Sequence, residues 1–380
     1  MFILMGALVA NAGIAARIFA AAASILDRIP GGVAATTVAA TTVFSGLSGS
    51  SAADVAAMGR ISVSEMRKHG YPPAYAAGVV ASAGAFAALI PPSIGLILYG
   101  VVSGESIGAL ILAGIIPGVI SACALATMIV ITAWRNGRRI GNDAMVDYVD
   151  KQAAALPTTA GAKLTGVGSA ALLFVIVAGG IYTGVFTVTE AAAVGAAASL
   201  VLSIAFQRSP HRVLDVVFKS AKETVELTSM IFMLLIGGAI FGYFVVSTRL
   251  PADLAKWVGD LAVPPVVVLI VILLLMVPLG MFLDGLSIML LVVPIIVPIV
   301  AVSGYDGVWF GILMIKMIEI GLLTPPVGLN VFVMSGIVRD VPVMSIFRVV
   351  VPFLLLDLCL VALFFLVPDL VTWLPSLAAN

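Results

Sequence analysis

Charge is scarce in this sequence of 380 residues: Asp, Glu, Lys and Arg together make up 10% of it, whereas 62% of the residues are hydrophobic. The mean hydropathy is +1.23. Only the stretch 136–163 stays polar for long, so no soluble domain is expected. Positive and negative charges balance, which gives no indication of a nucleic-acid partner. The composition predicts an all-α polytopic membrane protein surrounded by the lipid bilayer.

Histidine is almost absent, and neither of the two histidines lies in an apolar segment. A serine nucleophile in the membrane would therefore lack a histidine base, although Gly46-Leu47-Ser48-Gly49 matches a motif of rhomboid-type intramembrane proteases. The sequence has no Gly-x-x-x-x-Gly-Lys-Ser/Thr loop for ATP and no cluster of metal ligands. We expect no enzyme and no cofactor. Cys123 and Cys359 lie in apolar runs, where small buried side chains are expected instead of a disulfide.

The most informative stretch is a turn rich in serine and glycine, at 45–51, between two short apolar runs. At 1.5 Å per residue neither run crosses a hydrocarbon core of ~30 Å. We therefore expect a re-entrant hairpin, the first hairpin. Irregular backbone at membrane depth is tolerated only where protein buries it or where it lines a wet cavity. The tip of this hairpin is a candidate binding site.

Lone charges in apolar segments mark further candidates. The tract 262–302 is too long for one crossing and contains one charge, Asp284, at its only plausible turn, so we expect a second hairpin there. Asp284 is interpreted equally well as a helix cap and as a cation ligand. Asp54 is expected to cap backbone N–H groups of its own helix. Lys316 and Glu319 are expected to pair with each other at i, i+3.

Two apolar segments are long enough to span but are interrupted by proline pairs: 71–102 by Pro91-Pro92, and 308–336 by Pro325-Pro326. These interruptions are the first break and the second break. Further spans are expected at 106–134, 164–186, 188–206, 224–246 and 349–374, and amphipathic arm helices along the interface at 13–29 and 249–260.

The order of these elements occurs twice: interfacial arm helix, re-entrant hairpin, proline-broken transmembrane helix and closing helix. The spacing from Tyr71 to Pro91 equals that from Tyr305 to Pro325. An odd number of crossings separates the hairpins, which predicts inverted repeats and a secondary transporter with its site at the midplane. The expected units are a first repeat at 1–136, a cytoplasmic loop at 137–163 and a second repeat at 164–380.

The basic residues give an orientation. If the first hairpin opens to the cytoplasm, only Arg249 and Lys256 fall on the other side and Lys316 within a span, as the positive-inside rule favours. The C-terminus is then periplasmic. The exposed helix ends of tips and breaks would attract anions, and their carbonyl and hydroxyl oxygens would suit a small hard cation. The alternative is that glycine and serine merely permit close helix packing.

Several motifs carry a resemblance to a known family. They are Ser-Gly-Leu-Ser-Gly-Ser-Ser-Ala-Ala-Asp at 45–54, Gly-Tyr-Pro-Pro at 70–73, Ile-Pro-Pro-Ser at 90–93, Ala-Gly-Ile-Ile-Pro-Gly at 113–118, Thr-Glu-Ala-Ala-Ala at 189–193, Met-Phe-Leu-Asp at 281–284 and Glu-Ile-Gly-Leu-Leu-Thr-Pro-Pro-Val-Gly-Leu-Asn at 319–330. The chain resembles, almost end to end, the large membrane subunit (DctM-like) of tripartite ATP-independent periplasmic (TRAP) transporters.

The resemblance implies sodium-coupled uptake of an organic acid, such as a C4-dicarboxylate or sialic acid, across the bacterial inner membrane. It implies a periplasmic solute-binding protein and a small four-helix membrane subunit as partners, and an elevator-like movement of the hairpins. The sodium ligands that it implies are Ser48, Gly49, Ser50, Pro92, Gly95, Gly280, Asp284, Thr324, Pro326 and Gly328. The substrate-binding residues that it implies are Ser51, Ser93, Ser287 and Asn330.

Two alternatives remain open: a stand-alone divalent-anion/sodium symporter of related architecture, and a non-transporting membrane scaffold subunit. The family has further helices upstream of the segment at which this sequence begins. The stretch 1–11 would form only about 16 Å of helix against a core of ~30 Å. Together with the repeat, this predicts that N-terminal helices are missing.

Overall fold

The computed structural model describes residues 1–26, 29–135, 168–169, 171–206, 210–249, 253–254, 256–257 and 263–378. This part of the chain is helical and contains no strand. In the first half (1–136) the helices are α1 (Phe2–Asn11), α2 (Ile14–Leu26), α3 (Gly32–Ser48), α4 (Ser51–Lys68), α5 (Pro73–Phe86), α6 (Ile94–Ser103) and α7 (Ile107–Arg135). The next ones are α8 (Gly180–Tyr182), α9 (Val188–Phe206), α10 (Pro210–Ser247), α11 (Pro265–Phe282), α12 (Gly285–Val302), α13 (Gly307–Leu323), α14 (Leu329–Ile337), α15 (Val343–Leu366) and α16 (Asp369–Ala378).

Six of the described helices, α7, α9, α10, α11, α12 and α15, are long and apolar enough to cross a membrane. Two bent pairs pass the same test together: α1 with α2 at 70°, and α5 with α6 at 42°. The chain is therefore an all-α polytopic membrane protein, as its composition predicted. Two helix–turn–helix pairs lie where the hairpins were expected, α3 with α4 and α11 with α12. That these hairpins are re-entrant stays a prediction.

The two proline pairs interrupt helices where they were expected to. A 3₁₀ turn, Ala87–Leu89, follows α5 before the first break, and the second break separates α13 from α14. Proline has no N–H and its ring excludes the helical conformation for the residue before it, so neither helix can continue. Both the Pro91-Pro92 and the Pro325-Pro326 bonds are cis.

Helix α13 is the centre of the packing, because its residues from Val308 to Leu323 are buried. It packs against α5, α7, α11, α12 and α15. The two halves also interlock: α6, which follows the first break, packs on α12 of the second hairpin, and α14, which follows the second break, packs on α4 of the first hairpin. At the C-terminal end of α4, Arg67 also forms an ion pair of 2.8 Å with Asp340, which follows α14.

Several boundaries differ from the sequence expectation. The span expected to begin at 224 begins at Pro210, because proline favours a helix start and no helix breaker follows it. The closing helix expected at 349–374 is two helices, α15 and α16, separated at Pro368, which disfavours the helical conformation for Val367. The expected loop 137–163 and most of the arm 249–260 lie outside the described residues.

The expectation that both cysteines are buried is wrong, because Cys123 and Cys359 are exposed on the surfaces of α7 and α15. An apolar run does not say which helix face points outward. In a membrane protein the outward face is as apolar as the inward one.

Candidate functional site

The first tip, Ser48–Ser51, is a tight connection between antiparallel helices. Gly49 adopts the left-handed conformation with φ of 70°, and its N–H donates to the Ser45 carbonyl, which ends α3. A residue with a side chain rarely adopts this conformation, whereas glycine does so without strain. Ser50 is extended and α4 begins at Ser51.

The first tip touches the first break directly. The Ile94 N–H donates to the Gly49 carbonyl at 3.0 Å. A Cβ on Gly49 would lie 2.6 Å from the carbonyl oxygen of Pro92, closer than real Cβ contacts allow. A Cβ on Gly46 would lie 3.3 Å from the carbonyl oxygen of Pro91. The backbones of tip and break are therefore packed so closely that a side chain at Gly49 would not fit.

Asp54 connects the two helices of this hairpin through hydrogen bonds. The prediction that it caps N–H groups of its own helix is wrong, because its carboxylate accepts hydrogen bonds from the hydroxyls of Ser45 and Ser48 on α3. The side chain is fully buried. A carboxylate buried in this way is stabilised only by such donors, so Asp54 joins the two arms of the hairpin just behind the tip.

The second tip, Leu283–Asp284, is built differently. Both residues are extended, and the Asp284 carboxylate accepts from the backbone N–H groups of Leu286 and Ser287, each at 3.1 Å, and from the Ser287 hydroxyl. The interpretation of Asp284 as a helix cap is confirmed. Its role as a cation ligand stays a prediction.

The second hairpin packs closely against α13. A Cβ on Gly280 would lie 2.8 Å from the carbonyl oxygen of Ile318 and 2.9 Å from the Cα of Gly321. This crossing lies roughly one helical turn before the second break. A Cβ on Gly285, next to the second tip, would lie 3.3 Å from Cγ2 of Ile318. The second tip therefore lies beside α13, roughly one and a half helical turns before Thr324.

The second break, Thr324–Gly328, presents a partly exposed turn. Thr324 ends α13 in an extended conformation, Pro326 is exposed, and Gly328 is left-handed at the start of α14. Asn330, in the first turn of α14, is fully buried, and both polar atoms of its amide lack a hydrogen-bond partner among the described residues. A buried amide without partners is costly, so Asn330 is suited to bind a polar ligand.

Two contacts connect the halves near these turns. The Ser51 hydroxyl donates to Oε1 of Glu319 on α13 at 3.2 Å. On the first break, Ser93 accepts from the Leu96 N–H at 3.4 Å and so caps α6. A Cβ on Gly95 would lie 3.2 Å from Cε of Met289 in the second hairpin. Gly95 thus faces the second hairpin, whereas Gly49 and Pro92 meet at the first, next to Ser48.

The prediction that Lys316 pairs with Glu319 is wrong. Lys316 forms an ion pair with Asp357 of α15, both side chains being fully buried, and its Nζ lies 4.6 Å from the centre of the Phe86 ring. The spacing in the sequence favoured Glu319 as the partner, whereas the packing of α13 against α15 brings Asp357 to Lys316. Asp357 was not singled out, although a lone acidic residue in an apolar helix is a signal that would have found it.

The residues present suit a small hard cation such as sodium. The donors at both tips are carbonyl, hydroxyl and carboxylate oxygens, which hard cations prefer, and the Pro92 carbonyl oxygen lies directly against Gly49. Two buried carboxylates, Asp54 and Glu319, form no ion pair with a basic side chain within the described part of the chain. A buried negative charge without a partner is costly.

Comparison with known proteins identifies the family to which these features belong. Residues 1–370 match the family described as "Tripartite ATP-independent periplasmic transporter, DctM component". The C4-dicarboxylate TRAP transporter large permease protein DctM of Pseudomonas aeruginosa is 34% identical over 381 residues, covering 99% of this chain and 83% of that protein. The sialic acid TRAP transporter large permease protein SiaM of Vibrio cholerae is 35% identical, covering 99% and 85%.

Two further proteins extend the comparison. The isethionate TRAP transporter permease protein DctMQ of Oleidesulfovibrio alaskensis is 32% identical over 97% of this chain and 56% of that protein. The crystal structure of the Alcanivorax borkumensis YdaH transporter shares the fold, with a TM-score of 0.59 at 13% identity, over 96% of this chain and 83% of that one.

Proposed function

This chain belongs to the DctM family of tripartite ATP-independent periplasmic transporters, and we propose that it takes up an organic acid together with sodium. The observation that carries the proposal is the meeting of the first tip with the first break, where the carbonyl oxygen of Pro92 lies against Gly49 in a turn flanked by the hydroxyl groups of Ser48 and Ser50. The family membership means that the chain is a transporter permease and no enzyme.

Sodium would be held by oxygen atoms at two places. The first is the junction of Ser48, Gly49 and Ser50 with Pro92, and the second is the neighbourhood of Asp284 and the second break, where Thr324, Pro326 and Gly328 offer backbone and hydroxyl oxygens. Asp54 and Glu319 support this proposal, because these buried acidic groups are hydrogen-bonded to Ser48 and Ser51 of the first tip and a cation bound there would stabilise their ionised forms. Gly95 and Gly280 would contribute through the close packing that shapes these places.

An organic anion would bind between the two sodium places. Ser51, Ser93 and Ser287 lie at the starts of α4, α6 and α12, and helix N-termini attract anions through free N–H groups and the helix dipole. The unpartnered amide of Asn330 can donate to a carboxylate. The relatives are named for C4-dicarboxylate, sialic acid and isethionate, all organic anions.

The mechanism that follows is alternating access. We take the two halves to be inverted repeats, with the hairpins moving as a unit in elevator fashion and the C-terminus in the periplasm. Sodium would bind at the tips before the anion enters, and its positive charge would compensate the negative charge of the anion. The hairpins could then carry both across the membrane core. A periplasmic solute-binding protein would deliver the anion, and a small four-helix subunit would complete the scaffold in the bacterial inner membrane.

Uptake by liposomes tests the proposal. The chain is reconstituted with its small subunit and binding protein, and uptake of labelled succinate and sialic acid is followed with an inward sodium gradient, with sodium on both sides, and with choline in place of sodium. Uptake that requires the gradient and the binding protein supports the proposal. Equal uptake in choline would contradict sodium coupling, and uptake without the binding protein would favour a stand-alone symporter.

A further inference from the structure

Glu319 joins the helix that leads into the second break to the first tip by a side-chain hydrogen bond, the only one of this kind among the described residues. Its Oε1 accepts from the Ser51 hydroxyl at 3.2 Å, and Ser51 directly follows Ser48, Gly49 and Ser50. Glu319 itself lies roughly one and a half helical turns before Thr324. The contact therefore connects the places at which the proposed function binds sodium in each half.

The first partner in this contact is part of a rigid unit. Asp54 holds the hydroxyls of Ser45 and Ser48, so α3 and α4 are tied together immediately behind the tip. The tip is further fixed to the first break through the hydrogen bond from Ile94 to Gly49. A displacement of Ser51 must consequently displace the whole junction and not one side chain.

The second partner is also part of a rigid unit. The buried ion pair of Lys316 with Asp357 fastens α13 to α15 one turn before Glu319. Immediately after Glu319, the close crossing of Gly321 with Gly280 fastens α13 to the second hairpin. Helix α13 is therefore fixed on both sides of Glu319. A displacement of the Glu319 carboxylate would displace α13 together with the second hairpin and the second break.

A purely structural purpose does not account for Glu319. Lys316 is already paired with Asp357, and Oε2 of Glu319 has no hydrogen-bond partner among the described residues, although the side chain is only 7% exposed. Replacing such a buried charge by an apolar residue of similar volume is often neutral or stabilising. A costly carboxylate at this position is explained if its bond to Ser51 has a use other than stability.

We propose that Glu319 is a positioning residue that couples ion binding at the first tip to ion binding at the second break through its bond to Ser51. The proposal rests on the proposed function, since it requires that sodium binds in both halves. Occupation of the first place holds Ser51 where Glu319 keeps α13 in the binding conformation. Sodium therefore binds the second place more tightly when the first is filled, and the coupling is reciprocal.

A double-mutant cycle tests the coupling. Glu319→Ala, Ser51→Ala and the double variant are purified as full chains, and the melting temperature is measured across a sodium series with choline as the replacement ion, which reports ion binding without transport. Each single variant is expected to raise the half-saturating sodium concentration about tenfold, the effect of losing a hydrogen bond to a charged group. The Hill coefficient is expected to fall toward 1.

The double variant decides whether Ser51 and Glu319 act through one bond or independently. If Ser51 and Glu319 act through one bond, the double variant shifts sodium binding no further than either single variant. Additive shifts, or an unchanged Hill coefficient in Glu319→Ala, would overturn the coupling role. Glu319→Gln keeps a carbonyl acceptor for Ser51 and is expected to retain most of the coupling. If Glu319→Ala fails to fold, Glu319→Met, which removes the acceptor while keeping a similar volume, replaces it in the cycle with Ser51→Ala.

A matched control separates coupling from general loosening of the hairpin. Thr37→Val removes a buried hydroxyl of the same hairpin that bonds to the Val33 carbonyl at 3.0 Å and to the sulfur of Met66 on α4 at 3.7 Å, and among the described residues no hydrogen bond joins it to α13. Its sodium dependence is expected to match the wild type, and a tenfold shift in this variant would contradict the proposal. A wild-type chain that sodium does not stabilise at all would overturn the proposed function as well, whereas a sodium-stabilised wild type whose Ser51 and Glu319 variants bind sodium with unchanged half-saturation and Hill coefficient would overturn the coupling alone.

Discussion

Both hairpin tips reverse the chain between two helices, but different groups stabilise the two turns. At the first tip the turn itself is uncharged, Gly49 lies against the Pro92 carbonyl, and the carboxylate of Asp54 is withdrawn behind the turn to bind hydroxyls of the opposite arm. At the second tip Asp284 lies in the turn itself, and its carboxylate caps the helix that follows. The first tip depends on the shape of its backbone, and the second on a charged side chain.

This difference predicts which substitutions each tip does not tolerate. A site made by backbone atoms tolerates polar changes nearby but no added volume, because the backbone cannot move away from a new side chain. A site made by one carboxylate tolerates added volume better than loss of the charge. The following predictions test whether the two tips fail in these two different ways.

The largest effect is expected from Gly49→Ala. The added Cβ would lie 2.6 Å from the Pro92 carbonyl oxygen, and the left-handed φ of 70° would strain alanine as well. We expect sodium-dependent uptake to fall more than about 100-fold, because tip and break must separate, and such a separation removes the ligands of one ion. Uptake by liposomes measures this loss.

Gly70→Ala is the matched control for this prediction. Gly70 has φ of +77° with nothing within 4 Å of its added Cβ, so the substitution brings the backbone strain without the collision. A cost of about 1 kcal/mol in stability, with uptake preserved, is expected there. Equal losses of uptake in both variants would show that strain, and not the shape of the first tip, is responsible.

An intermediate effect is expected from Gly280→Ala in the second hairpin. Its Cβ would meet the Ile318 carbonyl and Gly321 at 2.8 and 2.9 Å, so α11 and α13 must move apart, at about 1–3 kcal/mol in the free energy of unfolding. Gly336→Ala, in α14, meets nothing within 4 Å and is expected to be neutral or slightly stabilising. Denaturation in detergent compares the two, and a stable Gly280→Ala would mean that this crossing is loosely packed.

A smaller effect distinguishes the two roles of Asp284. Asp284→Asn keeps an acceptor for the N–H groups of Leu286 and Ser287 and removes the charge, whereas Asp284→Ala removes both. If the carboxylate binds sodium, both variants raise the half-saturating sodium concentration about tenfold. If it is a cap alone, only Asp284→Ala loses about 1 kcal/mol of stability and neither variant changes the sodium dependence.

The sequence predicted the turns well and the contacts between them poorly. Pro91-Pro92, Pro325-Pro326, Gly49 and Asp284 act on their own backbone, and local rules are sufficient to place them. The partner of Lys316 could not be found in this way, because local spacing favoured Glu319, whereas the packing of α13 against α15 brought Asp357 to it.

Orientation of side chains was also beyond the sequence. Asp54 turned toward α3 and away from its own N–H groups, and the cysteines faced outward, because such choices depend on how helices rotate about their axes in the bundle. The bond from Ser51 to Glu319 joins residues from different halves of the chain. Periodicity gives the position of a residue on its helix, but it does not say which helix lies opposite.

The smallest effect concerns the far ends of the hairpins. The first hairpin is tied there by the ion pair of Arg67 with Asp340, whereas the second hairpin, 265–302, contains no basic residue. The hydrogen bond from Arg67 lowers the pKa of Asp340 below its ordinary value of 3.8. Because this pKa is lower in the folded than in the unfolded state, the pair stabilises the protein above about pH 4 and its contribution disappears as the pH falls through the lowered pKa.

Asp340→Asn should therefore lower the melting temperature slightly at pH 7 and not at all at the acid end of the range. Both partners are partly exposed, so the contribution is small and screened by salt, and the difference between wild type and variant should also shrink as choline chloride is raised. Sodium dependence should be unchanged, because the pair lies at the opposite end of α4 from the first tip. A change in the half-saturating sodium concentration would mean that the outer end of the first hairpin takes part in ion binding, and the contrast between a backbone-built and a carboxylate-built tip would then be too simple.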